Sequence, residues 1–263
     1  MLKIEERDGV GLAYEELGTG PGRAMLLVHG FGCDRSFMAR QQAVFSRDRR
    51  TVSVDLRGHG RSDAPHQDYT PAIFAEDLAW LCNRLGLAAP LVVGHSMGGT
   101  IALELGARHP DSVAAVMMID SFVFPAAAMV EALRPIAASL HGPDYEAGLS
   151  ALGAVVARPG EGPEAGMMWA ASLAATPQHV LASCFSSHTV DYDAGAAAAA
   201  CRVPVAYVGA ASPLGDVERF KALRPNLVVG QTVGSGHFSP LLVPEQINAM
   251  IRDFERDIAN RGS

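Results

Sequence analysis

Val93-Gly94-His95-Ser96-Met97-Gly98-Gly99 decides how the rest of this chain is read. It follows a short apolar run, Leu91-Val92-Val93, and opens a helical pattern, Thr100-Ile101-Ala102-Leu103-Glu104-Leu105. A strand, a sharp turn and a helix in that order push Ser96 into solvent at the carboxyl end of its strand, with a helix amino-terminus behind it. Gly94 and Gly98 leave room for a backbone too tight for any β-carbon at those positions. The pentapeptide G-x-S-x-G alone is modest evidence, and its strand–turn–helix setting is what gives it weight.

Upstream, Leu2 to Leu17 alternates and is broken by Asp8-Gly9, which predicts two antiparallel strands and a tight turn. Ala24 to Val28 and Thr51 to Asp55 are buried-strand runs, separated by a helix over Ser36–Phe45. Pro71 opens a helix reaching Leu85 and stopped by Gly86. Downstream of the serine turn, a helix ends near His109-Pro110, and Val113 to Ile119 is a further strand closing on Asp120. The rhythm then breaks. From Phe122 to His188 no strand is predicted, only Ala- and Met-rich helical segments carrying Met129, Met167, Met168, Trp169 and Phe185. Ala196 to Ala200 is read as helical. Alternation resumes with strands at Val203–Val208 and Leu227–Val233, a helix near Asp216–Leu223, and a last amphipathic helix from Pro244. Strands alternating with helices predict a parallel sheet covered on both faces. The expected organisation is an α/β core from 1–121 and 190–263, with a helical cap inserted at 122–189.

Composition agrees with one large domain. The 263 residues are 49% apolar and 19% charged, enough for a sizeable core. A net charge of −7 gives no electrostatic case for nucleic acid or an anionic membrane, and points to a small neutral or apolar partner. Cys33, Cys82, Cys184 and Cys201 lie far apart and read as packed, reduced thiols. The first residues lack the apolar run of a signal peptide and no stretch is long enough to span a bilayer, so a soluble cytoplasmic protein is expected. Oligomeric state is not legible.

Four pieces in order carry a resemblance: His29-Gly30-Phe31-Gly32, Asp55-Leu56-Arg57-Gly58-His59-Gly60-Arg61-Ser62, Gly94 to Gly99, and Gly234-Ser235-Gly236-His237-Phe238. Each sits at the carboxyl end of a predicted strand, where open parallel sheets bind ligands. In this the chain resembles the α/β-hydrolases, which implies a mostly parallel eight-stranded sheet with helices on both faces and an inserted helical cap. The resemblance implies a Ser–His–acid triad, an oxyanion hole made by the Phe31 and Met97 amides, and no cofactor or metal.

A serine hydroxyl needs a base to become a nucleophile, and His237, on a Gly-flanked loop after the last strand, is the candidate. His29, His59 and His95 read as loop-holding residues. His66, His109, His141, His179 and His188 read as surface or cap residues. Asp55 and Arg57 read as a structural turn, and Arg252, Glu255 and Arg256 as a solvated helix face.

The acid departs from the common pattern. Most relatives place an Asp after the strand corresponding to Val203–Val208, where this chain has Ser212, a neutral side chain that cannot stabilise an imidazolium. Asp120 and Asp216 are the two replacements. Asp120 is favoured because it ends its strand at the same edge of the sheet, while Asp216 suits a helix N-cap. Val208 to Pro213 resembles the zearalenone-lactonase type of enzyme, which implies an ester or lactone substrate, and the expected substrate is one with an apolar acyl portion. The Phe31-Gly32-Cys33-Asp34 loop resembles that of hormone-receptor and stress-regulator hydrolases. C–C bond hydrolysis, perhydrolysis and a slow-turnover ligand receptor or regulator are the alternatives.

Overall fold

Apolar runs such as Met25–Val28 have no polar face to turn to water, and the structure gives them none. In the computed structural model, which describes residues 1–156 and 162–261, Met25 and Leu27 pack into one buried cluster and Leu26 and Val28 into another. Successive side chains of a strand point to opposite faces, so both faces of the sheet are covered. One face is closed by the helices Pro71–Arg84 and Met97–Arg108, the other by Ala39–Phe45 and Pro244–Arg261. Ile247, Ile251 and Phe254, spaced for one helical stripe, are buried on that second side. Each fully buried side chain of this size stabilises by about 1.5–3 kcal/mol relative to exposure.

Among the described residues the sheet has seven strands, and the eighth expected is accounted for by Val10–Val28, one continuous strand that serves as two. Its first half lies antiparallel to Leu2–Arg7 and runs past Arg49–Val54 from Tyr14 opposite Val54 to Leu17 opposite Thr51. Its second half returns along the other side of the same strand, from Met25 opposite Thr51 to Val28 opposite Val54. The reversal needs Gly18, at φ +77°, where a β-carbon would lie 2.1 Å from the Arg49 carbonyl oxygen. Leu91–His95, Ala115–Ile119, Val205–Gly209 and Val228–Gln231 then extend the sheet in parallel.

Local signals explain the element ends. Asp8 and Gly9 both take positive φ in the first hairpin turn. Thr70 accepts the Ile73 amide and Pro71 occupies the first turn of its helix. Between the strands ending at Ile119 and beginning at Val205, the helices Ala127–His141, Tyr145–Val156, Pro163–Ala175 and Gln178–Phe185 form a third apolar cluster, joined by Phe37 and Phe238. Residues 157–161 of the expected cap insertion, and 262–263 of the expected core, lie outside the described residues. The final helix is not simply solvated as expected. Arg256 and Arg252 keep exposed side chains, Arg252 pairing with Asp48 at 3.1 Å while lying over Phe45, whereas Glu255 is half-buried and bonds Arg49.

Candidate active site

Ser96 sits between its strand and helix at φ 53°, ψ −120°, a conformation a non-glycine residue adopts only when its surroundings impose it. The surroundings are backbone on backbone. A β-carbon on Gly94 would lie 2.1 Å from the Gly98 carbonyl oxygen, and one on Gly98 would lie 2.4 Å from the carbonyl oxygens of Val28 and His29. The two glycines let helix and strand approach closely enough to force the turn.

His237, on the loop after Val228–Gln231, is brought to Ser96 from the opposite end of the chain, with its Nε2 3.0 Å from Ser96 Oγ. Its Nδ1 lies 2.8 Å from Asp120 Oδ2. A carboxylate only accepts, so Nδ1 carries the proton and Nε2 is left to accept from the serine. The backbone of His237 is held as well: His95 Nε2 donates to its carbonyl at 2.8 Å.

Asp120 is fully buried at φ 43°, and its Oδ1 accepts the amides of Ala210 at 3.1 Å and Leu214 at 3.2 Å. The Ala210–Leu214 segment thus supplies two amide donors to a carboxylate from the neighbouring strand. Burial pushes the Asp120 carboxyl up, but the hydrogen bond and charge of His237 and the two amides outweigh it, and the group sits below the usual carboxylate range. Asp216 is exposed and accepts the Arg219 amide at 2.9 Å, capping the helix Val217–Leu223. It is not brought to His237.

The Phe31 amide is oriented by its neighbours. His29 Nε2 accepts the Leu56 amide at 3.0 Å, so its Nδ1 bears the proton and donates to the Gly30 carbonyl at 2.8 Å. The Cys33 amide donates to the same oxygen. In a planar trans peptide the Phe31 N–H must then point the opposite way. The Phe31 carbonyl in turn accepts the Trp169 indole N–H at 3.0 Å. Met97 opens its helix, so its N–H belongs to the first turn, which has no intrahelical acceptor.

The other motif residues hold loops. Asp55 accepts the amides of Arg35 at 2.8 Å and Arg61 at 3.0 Å, and Arg57 grips Asp77 with two nitrogens at 2.7 and 2.6 Å. Burial holds His29 near 4 and His59 and His95 near 3, so all three are neutral at neutral pH. All four cysteines are free and buried. His188, read from sequence as a surface or cap residue, lies in the helical segment between the strands ending at Ile119 and beginning at Val205, and is buried, only 5% exposed.

Ser96 and His237 open onto a cavity of ≈ 130 Å³ walled by Phe122, Leu133, Leu152, Trp169, Phe185 and Phe238. Among the described residues none of its lining side chains is Lys, Arg, Asp or Glu. A larger cleft of ≈ 840 Å³ shares Trp169 and Phe238 with it but does not include Ser96 or His237. No group of three or more His, Cys, Asp or Glu placed to hold a metal ion occurs among the described residues. Nor is any helix among them long and apolar enough to cross a membrane.

Residues 23–143 match the family described as the alpha/beta hydrolase fold. A thermophilic esterase from Thermogutta terrifontis superposes with a TM-score of 0.82 at 24% identity, covering 98% of this chain and 97% of that one. The enol-lactonase from Burkholderia xenovorans LB400 gives 0.83 at 23% identity, covering 97% and 100%. Epoxide hydrolase 3 of Xenopus tropicalis is 37% identical over 115 residues, 43% of this chain but only 31% of that protein.

Proposed function

We propose that the chain is a serine hydrolase of the α/β-hydrolase superfamily acting on small, uncharged carboxylic esters or lactones, and that 122–189 is its cap. Ser96 Oγ attacks the carbonyl carbon while His237 Nε2 takes its proton. The amides of Phe31 and Met97 hold the oxyanion, and collapse expels the alcohol, which takes the proton back from His237. Water then enters by the same route, releasing the acid and restoring Ser96. Asp120 fixes the imidazole tautomer and balances the imidazolium.

The observation that carries the reading is the line from Ser96 Oγ to His237 Nε2 at 3.0 Å and from Nδ1 to the buried Asp120 at 2.8 Å. Substrate class is argued from the cavity, whose apolar lining penalises a buried ion. Its volume is small beside the roughly 300–1,000 Å³ of sites for drug-sized ligands, which favours a short acyl chain. Epoxide opening is disfavoured by the nucleophile itself. Ser96 attacking an epoxide carbon would form an ether that water does not cleave, whereas attack on an ester gives an ester that it does. The test is hydrolysis of p-nitrophenyl butyrate by the wild type and by Ser96→Ala. Turnover lost on substitution supports the proposal, and equal turnover by the two proteins contradicts it.

A further inference from the structure

Among the described residues, the cavity wall facing Ser96 from the helical segment is apolar except at one place. Directly after Gln178–Phe185 the helix widens through Ser186–Val190, where the Asp191 amide bonds the Ser186 carbonyl five residues back. Two successive polar residues of this turn, His188 and Thr189, line the cavity that holds Ser96 and His237. His188 Nδ1 is buried and meets no hydrogen-bond partner among the described residues. A buried polar atom left without a partner costs about 1–3 kcal/mol, and a ligand oxygen that hydrogen-bonds this ring from the adjoining cavity would offset that cost.

The turn is anchored rather than loose. Ser187 Oγ bonds the Tyr69 carbonyl, and the Tyr69 amide donates to Ser183 Oγ at 2.9 Å. The His188 ring lies nearly parallel to that of Tyr192, whose hydroxyl donates to Glu104 Oε2 at 2.8 Å. Burial lowers His188 to about 4, so at neutral pH it offers a neutral imidazole with one donor and one acceptor.

We infer that His188, with Thr189 beside it, forms a hydrogen-bonding subsite for a neutral oxygen function, a ketone or hydroxyl, carried by the substrate apart from its scissile carbonyl. The inference rests on the ester or lactone reading above and narrows it to oxygenated acyl chains. A neutral imidazole suits such a group better than a carboxylate, whose charge would stay unbalanced in this cavity. A site built to hydrogen-bond a group rejects the analogue lacking it, because its own polar atoms are then left unpaired.

The experiment is equilibrium binding, by tryptophan fluorescence, of methyl hexanoate and of its 3-, 4- and 5-oxo counterparts to Ser96→Ala. The same ligands are then measured with His188→Phe or His188→Gln added. At least one oxo ester is expected to bind tenfold or more tightly than hexanoate. That preference should vanish with His188→Phe and persist in part with His188→Gln, which keeps a donor and an acceptor. Equal binding of all four ligands to Ser96→Ala, or a preference that survives His188→Phe, overturns the subsite. Wild-type turnover of p-nitrophenyl hexanoate, measured alongside, reads the hydrolase proposal separately: intact turnover with no oxo preference sinks only the subsite.

Discussion

Replacing Asp120 by Asn changes one atom and should remove most of the activity. Ala210 and Leu214 both donate to Oδ1, so the new amide must keep its oxygen there and turn its NH₂ toward His237. His237 Nδ1, 2.8 Å away, then faces a donor and has to accept. The imidazole proton moves to Nε2, 3.0 Å from Ser96 Oγ, where the base should be. The wrong tautomer and the lost negative charge together cost about 10⁴-fold in kcat in triads of this kind, equivalent to about 5 kcal/mol of barrier. Asp216→Asn should leave kcat within threefold, since Asn caps a helix as well as Asp does. The assay is kcat and KM on p-nitrophenyl butyrate, with thermal melts to show both proteins folded. An Asp120→Asn enzyme keeping more than a tenth of wild-type kcat, or an Asp216→Asn enzyme falling as far, would refute the reasoning.

Trp169→Phe keeps the aromatic wall but removes the indole donor from the Phe31 carbonyl, leaving it only the weak Cys33 thiol at 3.5 Å, and kcat should fall about tenfold with KM little changed, since a lost buried partner costs about 1–3 kcal/mol; an unchanged kcat would free the Phe31 loop from that contact. Gly94→Ala sets a methyl against the Gly98 carbonyl and should cost about 3 kcal/mol or more, read as a large drop in denaturant midpoint; a midpoint near wild type would show that the turn can relax. His59, His95 and His188, held near 3, 3 and 4 by burial, refuse protons when folded that they take up near 6.5 when unfolded. The unfolded chain therefore binds more protons over that window, and stability falls as pH drops from 6.5 toward 4 by about 1.4 kcal/mol per unit for each ring. Urea titrations across that range should show the loss, with a shallower slope in His59→Asn; a flat profile would contradict the burial of these rings as neutral groups.

Where both faces of a strand are covered, the sequence has to be apolar throughout, so Met25–Val28, Leu91–Val93 and Ala115–Ile119 were legible as buried strands. The Asp8-Gly9 turn was legible because positive φ restricts the residues that can occupy it. The double passage of Val10–Val28 along Arg49–Val54 was not, because it depends on a backbone contact between Gly18 and Arg49 that no local pattern encodes. The burial of His188 was not legible for a similar reason: its neighbours Ser187 and Thr189 are polar, and the turn is held against the distant Tyr69 through Ser187, with Tyr192 stacked on the ring. Glu255 departs from the solvated face that the sequence suggests because Arg49, some two hundred residues earlier, meets it. Reading the acid from strand position favoured Asp120, and in the structure Asp120 faces His237 while Asp216 closes a helix end.

The central claim is that Ser96 is a nucleophile activated by His237, and covalent labelling tests it most directly. A fluorophosphonate probe, followed by intact-mass and peptide mass spectrometry, should add one label per chain on Ser96. The label should be absent in Ser96→Ala and formed far more slowly in His237→Ala. A wild type that takes no label, or takes it on another residue, would contradict the account.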